Sequence, residues 1–250
     1  MADPQTTAAE VKTPVGLLGG GFMVSREAKA LCAAHGLGGR ELYFRGRCGV
    51  LGECDAEVVA SVAVFFPLDH VKESWDGGRK LPAEQAVELY AGACHDWGRR
   101  RLTGFDGLGR VAELVERVVT AASPIGAPLF AGWRALPLPG DLPARAAHLL
   151  HLLRELRGGL HANAVLAAGI HPLEAIIAAD HDAPIGHSTG ERMARFFAWP
   201  EPYAVPGPEL IQRRAEAETV TDRLMAPVFS TLNSDESDEL IALLRLGHGH

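Results

Sequence analysis

The residues whose types and spacing could carry chemistry are concentrated between His148 and His161. On a helix turning by about 100° per residue, His148, His151 and Glu155 fall on one stripe, beside an apolar face of Leu149, Leu152, Leu153 and Leu156. Two imidazoles and a carboxylate at the edge of a core would have shifted pKa values, which suits proton transfer. Arg154 and Arg157 point away from that stripe, with Arg157 at the expected helix end. His161 then opens the next helix, where unpaired backbone N–H groups favour an anion. Arg47 or Arg157 could clamp a carboxylate or phosphate, while His148 or His161 with Glu155 handles a proton. The expected catalytic set is therefore His148, Glu155 and His161, and the expected substrate-binding set is Tyr43, Arg47, Trp133 and Arg157. A Glu–Arg–His network that only fixes two helices against each other fits the same pattern.

Other chemistries fit less well. His148, His151 and Glu155 also read as H-x-x-H-x-x-x-E, and His161, His171, His181, Asp182 and His187 add further donors, so a metal or haem site is a third reading. The zinc helix motif spaces its histidines four apart around a Glu, and this one does not; the leading expectation is no cofactor. Gly19–Gly21 lacks the Lys-Ser/Thr of a phosphate loop and reads as a flexible turn. No G-x-S-x-G elbow is present, which disfavours a serine hydrolase. Cys48 lies beside Arg45 and Arg47 but has no assigned base, and it reads as an ordinary buried thiol. Cys32, Cys48, Cys54 and Cys94 form no CxxC pair and are expected as free thiols of a cytoplasmic protein.

The elements that must position these residues are helices. Ala and Leu dominate, strand-like alternation is almost absent, and the predicted fold class is all-α. Residues 1–13 are polar and read as a disordered terminus. Residues 14–123 form an N-terminal helical block, with helices predicted near Ser25–Ala34, from Asp55 to Phe66, from Pro82 to Arg101 and over Leu108–Ala122. Residues 124–142 are a Pro-rich connector, read as extended, with Phe130 and Trp133 pinned to the core. Residues 143–250 form the second block. Its helices are expected to Leu156, ended by Gly158-Gly159, then over His161–Ala168, Leu173–Ala179, Ser188–Phe197, Glu209–Phe229 and Asp235–Leu246.

The totals limit the partners. Among 250 residues the formal net charge is −7, which repels nucleic acid and anionic membrane surfaces at long range. No apolar run is long enough to span a bilayer.

Tyr43, Phe44, Arg47, Leu51 and Gly52, followed by Val58, Phe66, Pro67, Val71 and Trp75, match one motif, and His148, Arg154, Glu155, Arg157, Gly158 and His161 match a second. On these residues the chain resembles an actinobacterial helix-turn-helix family distantly similar to MarR-type winged-helix proteins. Leu156, Gly159 and Leu160 depart from the second motif. The resemblance implies a winged-helix-like C-terminal half whose long helix carries Thr221, Asp222, Arg223 and Leu224 in register. Between Gly186 and Pro208, however, relatives carry a recognition helix and a β-hairpin wing, and here the sequence offers one short helix and then AWPEPYAVPG. Only Arg192 and Arg195 supply basic charge at that tip. The leading expectation is a small-molecule-binding helical protein, an acid/base enzyme of specialised metabolism acting on an anionic substrate, without nucleic-acid or membrane partners and assembled as a homodimer. A dimeric MarR-like transcriptional regulator is the rival reading.

Overall fold

The computed structural model describes residues 1–179 and 190–249. The fold is all-α, as predicted, with no strand among the described residues. The first helices are α1 (Pro4–Gly20), α2 (Arg26–His35), α3 (Gly39–Cys48), α4 (Ala56–Val62), α5 (Leu68–Gly77), α6 (Ala83–Leu102) and α7 (Leu108–Ala121). A two-turn helix α8 (Pro128–Arg134) leads to the central α9 (Leu142–Ala167), followed by the short α10 (Pro172–Ile177) and α11 (Gly190–Phe196). The chain closes with α12 (Pro208–Phe229) and α13 (Ser234–Gly249). No described helix is long and apolar enough to cross a membrane.

Helix α9 organises the rest. The Asp141 side chain caps it by accepting from the Ala144 N–H, with Pro143 in the first turn where a missing N–H costs nothing. Ala144, Leu149, Leu150, Leu152, Leu153 and Val165 are all buried, so the helix is apolar around most of its girth and must be enclosed. Helices α1, α6, α7, α8 and α12 enclose it, and one apolar core runs from Ala8 to Leu244.

Five sequence expectations are corrected. The N-terminal residues expected as disordered form most of α1, capped by Asp3 and burying Ala8, Val11, Val15 and Leu18 against α9, α12 and α13. Their spacing is helical, but polar residues on the outer face dilute it. The two expected blocks share that one core, because α1 packs on the C-terminal helices while α6 and α7 pack on α9. The connector is not wholly extended: Pro128 sits at the first position of α8, which buries Phe130 and Trp133. Finally, Gly158 and Gly159 do not end a helix. They lie inside α9, where a Cβ on Gly159 would stand 2.9 Å from the Ala127 Cα, so packing offsets the propensity cost. The predicted cap Ser188, and His181, Asp182, Gly186 and His187, lie outside the described residues.

The Gly19–Gly21 cluster is likewise no flexible turn. A Cβ on Gly19 would stand 2.4 Å from the Leu150 carbonyl oxygen, so glycine permits the close crossing of α1 and α9. Gly98 does the same for α6, where a Cβ would lie 2.6 Å from both the Ala147 Cβ and the Pro143 carbonyl oxygen. In the same helix, a Cβ added to Gly92 would meet no neighbouring atom within 4 Å. Gly98→Ala should therefore destabilise the fold by about 1–3 kcal/mol, whereas Gly92→Ala should stabilise it by roughly 0.5–1 kcal/mol. Thermal denaturation of the two variants should shift in opposite directions.

Candidate functional site

Helix α3 presents Tyr43 and Arg47 one turn apart, and the Arg47 Nη1 donates to the Tyr43 hydroxyl at 3.0 Å. From there Arg47 grips Glu155 of α9 in bidentate fashion, Nε to Oε1 at 2.9 Å and Nη2 to Oε2 at 2.8 Å. Arg154 Nη1 donates to the same Oε1 at 2.8 Å. Glu155 is 1 % exposed. Burial by itself would raise its pKa, but Arg47 and Arg154 outweigh that and hold the carboxyl down at about 2. Arg47 responds in kind: burial works against its charge, and the Glu155 carboxylate raises its pKa well above the ordinary value.

A second polar cluster begins within the next turn of α9. Arg157 and Arg214 both pair with Glu218, and Arg157 also approaches Asp222. Burial raises Asp222. Burial would raise Glu218 too, but Arg157 and its neighbours bring it to about 2. His161 Nδ1 lies 2.9 Å from the Thr221 hydroxyl, which itself donates to the Ala217 carbonyl. The imidazole therefore donates through Nδ1, while its Nε2 lies 3.8 Å from the Glu218 Oε1. The Phe65 ring stacks on it at 5.5 Å.

These clusters border a cleft of about 500 Å³ between α1, α3, the segment after α4, and α9. Its cations are Lys12, Arg47, Arg154 and Arg157, and Glu155 is its carboxylate. Phe65, Phe66, Leu129 and Phe197 supply apolar walls. The geometry suits an anion with an organic body.

The sequence-derived residues divide accordingly. Tyr43, Arg47, Glu155 and Arg157 line the cleft. Trp133 is buried behind it, its Nε1 donating to the Arg47 carbonyl at 2.9 Å. His161 stands behind the Phe65 ring. His148 is in the core, its Nδ1 3.0 Å from the Nε2 of His95. His148, Glu155 and His161 are thus not brought together. They are spread along α9 over about 20 Å at 1.5 Å per residue. His161 is inside α9 rather than at a helix start, so no free N–H groups surround it. Arg154 and Arg157, expected to point away, both face the cleft. Sequence reasoning also missed Lys12, Phe65 and Phe197. Phe65 lies beside the motif residue Phe66, but the rest depended on unforeseen helix packing.

Among the described residues, no group of three or more His, Cys, Asp or Glu is arranged to hold a metal ion. His151 Nδ1 lies 3.2 Å from the Gly19 carbonyl, and both Glu155 oxygens are taken by arginines. All four cysteines are free, and burial pushes the Cys48 thiol up to about 12, so it is no nucleophile.

Two expectations follow. Glu155→Gln leaves the Arg47 charge buried without its counter-ion and should cost about 3–5 kcal/mol; the double variant Arg47→Met/Glu155→Leu should recover most of that loss in urea denaturation. Burial lowers His148 to about 4 and His151 and His161 to about 3. Below the ordinary histidine pKa the unfolded chain takes up protons that these rings refuse. Their contribution is therefore complete above about pH 6.5 and falls with acidification, by up to about 1.4 kcal/mol per pH unit for each ring. Unfolding free energies measured from about pH 7 down to about pH 5 should show this slope, and His148→Gln should reduce it by about one proton.

A helix-turn-helix family model matches residues 8–247. No curated protein and no solved structure matches the chain. The family match runs from α1 into α13 and so includes every helix that borders the cleft. The chain belongs to this helix-turn-helix family.

Proposed function

We propose that the chain binds an anionic organic small molecule in the cleft between α3 and α9. The observation that carries this reading is the surplus of positive charge beside a buried carboxylate. Arg47 is neutralised by Glu155 in a bidentate pair, so Arg154, which shares only one of the same oxygens, brings a charge that the protein does not balance. Lys12 adds to the positive field at the same cleft. A ligand carboxylate or phosphate would supply the balance.

Binding is favoured over acid–base catalysis. His148 and His151 are neutral and engaged in the core, and Glu155 is held as a carboxylate by two guanidinium groups. None of these is poised to give or take a proton near pH 7.

Family membership supports a second reading, a DNA-binding regulator. The short helix α11 argues against DNA reading by its exposed face. Arg195 pairs with Glu191 and Glu201, and Arg192 is engaged as well. The chain just beyond it packs on the core side instead: Phe197 packs on Phe66 at 4.7 Å, and Arg40 of α3 donates to the Phe196 carbonyl. In this reading, the tip that would read DNA covers the cleft.

Arg154→Gln is the discriminating variant, because it removes the unbalanced charge and leaves the Arg47–Glu155 pair intact. Calorimetric titration with 2-naphthoate should show saturable one-to-one binding to the native chain, weakened by about tenfold or more in the variant. Absence of saturable binding would sink the proposal. A mobility shift with pooled random-sequence duplexes at physiological salt should leave the DNA free, and a retained, sequence-selected fraction would favour the regulator.

A further inference from the structure

A second compartment, of about 620 Å³, adjoins the cationic cleft and shares Gly16, Tyr43, Phe66, Arg154 and Phe197 with it. Its character is different. Its own walls come from α1, the turn after it, α2, α3 and α11, with Met23, Leu42, Met193 and Phe196 among them. The Arg40 guanidinium at its edge is already committed, lying over the Phe196 ring at 4.4 Å and donating to the Phe196 carbonyl. Behind it stands Tyr90, which is 1 % exposed and whose hydroxyl has no hydrogen-bond partner. Arg154 is the charged side chain common to both spaces that carries the unbalanced charge.

We infer that the ligand is an amphipathic monoanion, whose carboxylate sits against Arg154 in the first compartment and whose apolar chain extends past Tyr43 and Phe197 into the second. This rests on the anion-binding reading above and adds the identity of the ligand class. Charge sets the head: two guanidinium groups around one carboxylate leave room for one further negative charge. Wall chemistry sets the tail, because a chamber floored by Met, Leu and Phe side chains rewards each methylene taken out of water. Methionine side chains conform to flexible apolar chains better than rigid aliphatic ones do, which favours an alkyl chain. A small polar anion would leave the second compartment unused.

Gly16 provides the lever for a test. It lies at the mouth that both compartments share, and a Cβ there meets no atom within 4 Å. A larger residue in this helical position also raises intrinsic helix propensity, so Gly16→Trp should fold while obstructing the passage.

The experiment is calorimetric titration of the native chain and Gly16→Trp with the saturated carboxylates from butanoate to dodecanoate, together with 1-decanol. Native affinity should rise about fourfold per methylene over the middle of the series, and decanol should bind at least about tenfold more weakly than decanoate. Gly16→Trp should lose most of the chain-length dependence. Carboxylates that bind with an affinity independent of length would overturn this inference and leave the anion-binding proposal standing. Decanol binding as tightly as decanoate, or an unchanged slope in Gly16→Trp, would also overturn it. If no carboxylate of any length binds, both proposals fall together.

Discussion

The interaction on which the arrangement depends is the buried bidentate pair between Arg47 and Glu155. It joins α3 to the middle of α9 across more than a hundred residues of chain. Removing both charges from water is costly, and such a pair adds little net stability. Its consequence is positional. With both Glu155 oxygens occupied and the Arg47 carbonyl accepting from Trp133, α3 has one favourable placement against α8 and α9. Any slip of either helix would leave a charge stranded in the core.

From that fixed point the other polar groups acquire their separate states. Arg154 shares the Glu155 carboxylate yet reaches the cleft, so it carries charge to a place where a ligand can meet it. The three histidines of α9 lie in or beside the core, and burial keeps them neutral. One helix thereby supplies neutral packing groups along one face and a cationic wall along another. Close helix crossings make this possible: Gly19 and Gly98 let α1 and α6 approach α9 until a Cβ at either position would collide with its backbone.

The segment at the end of α11 packs against the walls of the cleft. Phe197 packs on Phe66, and the Trp199 indole donates to the Phe65 carbonyl at 2.9 Å. Because Phe65 and Phe66 are themselves cleft walls, the position of α11 and the shape of the cleft are mechanically linked.

Much was legible from the residues themselves. Helical class, the amphipathic stripe of α7 and the long α12 all follow from local spacing, because a helix repeats its faces at a known interval. The Gly158-Gly159 pair misled for an equally physical reason. Propensity is local and amounts to about 1 kcal/mol per glycine, whereas the approach of Ala127 that Gly159 allows is a tertiary contact. The same distinction applies to Arg154: helical phase alone turns it away from the site, yet a long flexible side chain reaches around a helix to whatever partner is near. The sequence by itself determined which residues are helical and which carry charge. Only the tertiary structure decided that Arg47 meets Glu155, that His148 is sealed in the core, and that Arg154 is left with a charge to share, because burial and pairing depend on neighbours far away along the chain.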